Sequence, residues 1–348
     1  MRKFDSDRRK AVVSLAPLNL PVNRYVDLFS KAISDQKYII REFRWRPTSL
    51  WKTHVAILHW PNEFFTTDGR WATVKSIIKL AAMRLSQFLW RTRFIWVAHN
   101  AVPHETKKCV PRLTRSFLRS VDGIIFLSAR SRELIGDLYP ESRRRHSLVT
   151  VMGHYRDTAV KPLTPSTIFN GDVKLVAIGL VRPYKNLEVL VDAATEVSGI
   201  RLLISGVVMD PDRWLGEALR ARARKGRHIT LDLRDTPIDD ANYETIVDSA
   251  DAVVAPYRNI LNSSAALFAL SRNRPLLAPN IGSLPELRGT VGSEWVYLYD
   301  GEFNQGVLVD FLAWLRRTKR GPVAPLDAYS WSRIGIDLGE FIELTRHA

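Results

Sequence analysis

The chain has 348 residues, 46% hydrophobic and 25% charged, and its 51 Lys and Arg against 36 Asp and Glu give a net charge of +15. That length passes the roughly 250–300 residues at which one core stops growing, so two domains are expected. A single cysteine, Cys109, excludes an internal disulfide framework, and His, Cys and carboxylates stand too scattered for metal-ligand spacing, so no metal and no cofactor is expected.

Short apolar runs alternate with amphipathic stretches along the chain, the signature of parallel sheets with crossover helices. In the first half, strands are predicted at 11–16, 38–43, 54–59, 94–98, 123–127 and 148–152, with helices at 24–34, 73–90, 113–120 and 129–138. The segment 157–171, with Pro162 and Pro165, reads as a linker. A second series follows, with strands at 173–179, 201–205, 229–233, 252–255, 275–278 and 295–298. Its helices fall near 187–197, 213–224, 240–249 and 264–271. The expected fold is α/β, two doubly wound halves with ligands in a cleft at the carboxyl ends of their strands.

Five blocks at strand ends carry candidate chemistry. Residues 179–186 (GLVRPYKN) follow a buried strand and precede a helix, so Arg182, Lys185 and Asn186 form either a solvated basic turn or a diphosphate anchor at a helix start. Residues 255–264 (APYRNILNSS) hold Tyr257 and Arg258, then Asn262, Ser263 and Ser264, which cap a helix, bind an anion on its amides, or do both. Residues 94–105 (FIWVAHNAVPHE) end a strand in His99 and Asn100, followed by His104 and Glu105, a crowding of acid–base groups. His59 ends another strand in LHWPNE, and His154 follows Gly153 in VMGHY, as a cleft residue or a strand cap. Glu286 in GSLPE either bounds a nucleotide pocket or is an ordinary first-turn helix residue.

Taken together, 179–186, 256–264, 274–279 (RPLLAP) and 284–286 resemble the donor half of GT-B glycosyltransferases. In the first half, 22–25 (VNRY), 59–61, 96–100, 103–105 and 153–155 resemble bacterial exopolysaccharide glycosyltransferases, nearest to xanthan-type β-mannosyltransferases. The resemblance implies two Rossmann-like domains: 1–158, which binds the acceptor and is rejoined by a crossing helix at 329–346, and 172–328, which binds the nucleotide sugar. It implies Arg182 and Lys185 on the donor diphosphate, aided by Ser263 and Ser264, with Asn186, Tyr257, Arg258, Asn262 and Glu286 around them. On the acceptor side it implies Asn23, Tyr25, His59, Asn100 and His154, with Glu105, His104 or His99 as base. Retaining members of the fold carry two glutamates in the donor half; aligned on the Arg274–Pro275 turn, the second position is Phe268 and the first falls near Ile260. Inversion by direct displacement is therefore expected, from GDP-mannose to a polyprenyl-diphosphate-linked oligosaccharide, with UDP-glucose or UDP-glucuronate as the other donors.

The cation excess, with a pI near 10, attracts phosphates. No helix-turn-helix or aromatic RNA-binding strand is recognisable, which sets nucleic acid aside. Residues 73–96 mix apolar and basic side chains at helical spacing, fitting either a helix on an anionic membrane surface or one packed on the sheet. No run approaches the ~20 apolar residues of a membrane span. The charged start MRKFDSDRRK has no signal core, so the expected location is cytoplasmic, peripheral on the inner face of the plasma membrane. A non-catalytic polyanion-binding protein is the competing class, and it leaves the ordered strand-end motifs unexplained.

Overall fold

The computed structural model describes residues 11–18, 24–100, 108–159, 161 and 171–348. The chain divides into two compact units, Met1–Gly153 with Tyr329–Ala348, and His154–Ala328.

In the first unit, β1 (Val12–Ala16), β2 (Ile39–Glu42), β3 (Val55–Leu58), β5 (Arg93–Ala98), β7 (Gly123–Phe126) and β8 (His146–Val149) form one parallel sheet in the order β2-β1-β3-β5-β7-β8. Strands such as β3 and β7 are buried at every residue, because a parallel sheet is covered on both faces and needs continuous apolar runs. Two short segments, β4 (Thr66–Thr67) and β6 (Lys108–Cys109), pair antiparallel beside it, an element the sequence pattern does not announce. The helices are α1 (Arg24–Ser34), α2 (Pro47–Trp51), α3 (Arg70–Trp90), α4 (Pro111–Leu118) and α5 (Ala129–Leu138). The sixth strand lies two to three residues earlier than its apolar run suggests, since 150–152 leave the sheet before Gly153.

The C-terminal helix Trp331–His347 belongs to this first unit. It lies against α1, where Gly335 approaches the Ala32 carbonyl too closely for a side chain. The Tyr38 hydroxyl donates to the Gly339 carbonyl at 3.1 Å and to Glu343 at 2.7 Å. Trp331 fills the space beside Gly153, and its ring lies 5.6 Å from that of Tyr25.

In the second unit, β9 (Val173–Ile178), β10 (Ile200–Val207), β11 (Ile229–Arg234), β12 (Ala252–Val254), β13 (Leu276–Pro279) and β14 (Val296–Tyr299) run parallel in the order β11-β10-β9-β12-β13-β14. This is the doubly wound order, with its reversal between β9 and β12. Its helices are α6 (Leu187–Thr195), α7 (Arg213–Ala223), α8 (Asp240–Asp248), α9 (Ser264–Ser271), α10 (Leu284–Val291) and α11 (Gln305–Arg317). Helix α11 buries Leu308, Phe311, Leu312 and Leu315 in the main core of this unit. Residues 154–158 are tied here rather than to the first sheet: the Tyr155 amide donates to Ser271 Oγ at 3.0 Å, and Arg156 reaches Asn273 Oδ1 at 2.9 Å and the Ala324 carbonyl at 2.8 Å. Arg156–Thr158 form a 3₁₀ turn, and the remainder of the expected linker, 160 and 162–170, lies outside the described residues.

One glycine sets how closely β10 passes the turn after β9. A Cβ on Gly206 would stand 2.2 Å from the Gly179 carbonyl oxygen, a backbone atom with nowhere to go. Gly206→Ala should therefore cost about 1–3 kcal/mol, as overpacking does, and displace the 179–186 turn. Urea unfolding measures the first effect and nucleotide affinity the second.

Candidate functional site

In an open α/β sheet, the loops at the carboxyl ends of the strands flanking the reversal point form the ligand crevice. In the second unit those loops are 179–186 after β9 and 255–263 after β12, two of the blocks singled out from sequence. Gly179 has φ +101, so the chain leaves β9 in a conformation that side chains resist. Pro183–Lys185 make a single 3₁₀ turn, and Asn186, left-handed at φ +57, redirects the chain into α6.

The two cations of this turn are held differently. Arg182 is half-buried and donates to Asp212 Oδ2 at 2.7 Å. Lys185 is turned inward and 6% exposed, and its ammonium donates to the Ile178 carbonyl at 2.8 Å and lies 6.0 Å from the Tyr257 ring centroid. Burial, and then the charge of Arg182, lower its pKa to about 8. Of the two readings of this turn, the solvated one does not describe Lys185: it is a desolvated ammonium at a strand's carboxyl end, under the start of a helix. Asn186 Oδ1 and Glu188 Oε2, at that same helix start, are buried with no hydrogen-bond partner among the described residues.

The loop after β12 is bound to the first. The Arg258 amide donates to the Tyr184 carbonyl at 2.8 Å, leaving the Arg258 side chain exposed, and the Tyr184 and Tyr257 rings lie 6.1 Å apart. Burial raises the pKa of Tyr257. Ser263 Oγ accepts the Ala266 amide at 3.2 Å, so Ser263 is the N-cap of α9; Ser264 is exposed and Asn262 half-buried. Gly282, at φ +58, lets the loop before α10 press on the Ile260 carbonyl, 2.2 Å from where its Cβ would lie. Glu286 is half-buried in the first turn of α10. Phe268 is buried, with the rings of Tyr243 and Tyr155 at 4.7 Å and 5.6 Å.

In the first unit, β3 and β5 are neighbours with Leu58 opposite Trp96, so the residues that follow them meet. His59 Nδ1 and His99 Nε2 are 3.0 Å apart. Both rings are buried beneath Tyr25, which meets each edge-on, and Trp60 stacks on His99 at 4.3 Å. Burial lowers the His59 pKa to about 3, and burial together with His59 lowers that of His99 well below its ordinary value. Both imidazoles are therefore neutral, one donating its N–H to the other's lone pair. His59 Nε2 has no partner among the described residues, and the pair lines a small cavity with Trp60, Asn62, Trp96 and Asn100. Tyr25 is 1% exposed and acts here as packing under the imidazoles.

Of the remaining sequence candidates, Asn23, His104 and Glu105 lie outside the described residues. His154 falls in the second unit, buried, with Nδ1 accepting the Arg156 amide at 3.3 Å; burial lowers its pKa against the opposing charge of Asp157. Sequence reasoning missed Asp212, Tyr184 and Trp60. Asp212 stands 30 residues from Arg182 and carries no local signal, whereas Trp60 adjoins a residue already singled out. Among the described residues no group of three or more His, Cys, Asp or Glu is placed to hold a metal, and no helix is long and apolar enough to cross a membrane.

A GDP-mannose:glycolipid 4-beta-D-mannosyltransferase of Xanthomonas campestris pv. campestris is 29% identical to this chain over 318 residues, 91% of this chain and 87% of that protein. Sucrose-phosphate synthase from Thermosynechococcus elongatus superposes with a TM-score of 0.68 at 14% identity, covering 97% of this chain and 100% of the other. Anabaena HepE, solved in complex with UDP-glucose, gives 0.64 at 10% identity over 96% and 98%. No family model matches the chain. The two parallel six-stranded sheets and these neighbours define the GT-B fold. With a mannosyltransferase similar over nine-tenths of its length, the chain is a glycosyltransferase.

Proposed function

We propose that the protein transfers mannose from GDP-mannose to a polyprenyl-diphosphate-linked oligosaccharide, with inversion and without a metal ion, in exopolysaccharide synthesis. The observation that carries this reading is the 29% identity to a GDP-mannose:glycolipid mannosyltransferase, spread over 91% of the chain. The donor diphosphate would lie at the 179–186 turn and the start of α9, its charge met by Arg182, Lys185 and helix amides. Asn186, Tyr257, Arg258, Asn262, Ser263, Ser264 and Glu286 would surround it. The acceptor would lie in the first unit near His59 and Asn100, with Asn23 as a further acceptor-side residue.

In the displacement, the acceptor oxygen bonds to the anomeric carbon as the bond to the donor phosphate breaks. The base takes the hydroxyl proton and the nucleoside diphosphate departs with the electron pair. Glu105, His104 and His99 are the candidates for base. The β linkage in the relative's name is what inversion of an α-linked donor produces. Phe268 among two tyrosines favours the same outcome, since a carboxylate there would be buried beside apolar rings. A lipid-linked acceptor would bring the enzyme to the inner face of the plasma membrane.

Thermal unfolding in EDTA with GDP, GDP-mannose, UDP and UDP-glucose tests the donor. At 100 times its Kd a ligand stabilises by about 2.7 kcal/mol, so GDP and GDP-mannose should raise Tm by about 2–4 °C. A shift with the UDP compounds alone would move the reading to a UDP-sugar transferase, and a shift with none would count against a donor site at this turn.

A further inference from the structure

Helix α3 (Arg70–Trp90) is built inside out. Its inward face carries Ser76, Leu80, Met83 and Ser86, and both serine hydroxyls bond back to their own helix, at 3.0 Å to the Ala72 carbonyl and 2.8 Å to that of Met83. Its outward face carries Trp71, Val74, Ile77, Ile78, Leu85, Phe88 and Leu89, all exposed, with Trp71 at 81% and Phe88 at 83%. At 3.6 residues per turn those seven fall within an arc of about 120°, along a helix about 30 Å long. Single exposed apolar side chains are ordinary, whereas a continuous stripe of this length marks a surface that something covers.

The charges beside the stripe identify the occupant. α3 contains Arg70, Lys75, Lys79 and Arg84 and no acidic residue. Lys79 is held by Glu63 at 2.8 Å and Arg84 Nε donates to Ser120 Oγ at 3.0 Å, while Lys75 and Arg84, both exposed, lie about 40° and about 20° beyond the two edges of the stripe. Trp51, on the neighbouring α2, is also exposed. An apolar stripe bordered on both sides by cations, with tryptophans at each end of the helix, matches a layer of acyl chains under anionic headgroups.

We propose that the outer face of α3 seats the first unit on an anionic bilayer, with Trp71, Ile78 and Phe88 at the acyl boundary and Lys75 and Arg84 among the headgroups. This deepens the proposed function and rests on its lipid-linked acceptor, which the same bilayer would hold. The test is flotation of the full chain with vesicles of phosphatidylcholine, alone or mixed with phosphatidylglycerol. The wild-type protein should float with the anionic vesicles and be released by high salt. The combined Trp71→Asp, Ile78→Asp and Phe88→Asp variant should partition at least about tenfold more weakly with an unchanged thermal shift by GDP, because the replaced side chains hold nothing in the core. Equal flotation of wild type and variant would overturn the proposal. So would a wild-type dimer that the variant dissolves while neither form binds vesicles. A GDP shift without flotation would remove this membrane face and leave the donor reading standing; flotation without any nucleotide shift would do the reverse.

Discussion

Lys185→Met should lower kcat/KM for the nucleotide-sugar donor by about 10²–10³, the effect of deleting one preorganised group that meets charge developing on a leaving oxygen. The same change should leave the fold at least as stable. The Lys185 ammonium is kept charged in a buried place, with its pKa lowered from 10.5 to about 8. That depression corresponds to a penalty of about 3 kcal/mol in the folded state below pH 8. Between pH 8 and 10.5 the unfolded chain holds a proton that the folded chain has lost, so wild-type stability should rise with pH over that window, and the Met variant should lack the rise. A bound diphosphate favours the charged form, so donor affinity should weaken as pH climbs through about 8. Urea unfolding and donor titration at paired pH values measure both. An active Met variant would mean that the ammonium serves only the Ile178 carbonyl and not a substrate.

Acidification should cost the first unit stability through its neutral histidine pair. His59 has a folded pKa of about 3 against an ordinary 6.5, because burial disfavours the imidazolium. Above pH 6.5 the ring is neutral in both states and contributes no pH dependence. Below it the unfolded chain takes up a proton that the folded chain refuses, so stability falls as pH drops from 6.5 towards 3. For His59 alone the loss on going down from pH 7, relative to a His59→Leu variant, should reach about 2 kcal/mol at pH 5 and about 4 kcal/mol near pH 3. His99, lowered by burial and by His59, adds to it with the same sign. The stability difference between the two proteins should be constant near pH 7 and change in acid, to the disadvantage of the wild type; a difference constant at every pH would mean that the ring is hydrated and protonates freely.

Much of this architecture can be read from the pattern of the chain. Buried parallel strands such as β3 and β9 are bounded apolar runs, and the residues directly after them fall at the ligand edge of the sheet, so the 179–186 and 255–264 blocks are visible before any coordinates. Pairings across distance are not legible. Nothing local joins His59 to His99 across 40 residues, or Arg182 to Asp212 across 30; strand order alone brings them together. The direction of Lys185 was equally hidden, since a basic turn residue ordinarily faces water, and here the bare Gly179 leaves room for it to fold back. Helix α11 is not among the helices expected from sequence although Leu308, Phe311, Leu312 and Leu315 have helical spacing. For α3 the composition fits a helix packed on the sheet and one on a membrane surface equally, and which side chains face outward, Trp71 and Phe88 among them, is legible only in the structure.

Mannosyl transfer from GDP-mannose to a lipid-linked glycan can be read from the reaction itself. The purified chain would be incubated in EDTA and detergent with GDP-mannose and a polyprenyl-diphosphate-linked oligosaccharide, and the product read by mass spectrometry and by proton NMR of the new anomeric centre. A product one hexose larger, β-linked, is expected, with GDP released in equal amount, and at least about a hundredfold less of it from Lys185→Met at comparable enzyme. Transfer only from a UDP-sugar, an α-linked product, or turnover restored only by added divalent metal would contradict the proposed function.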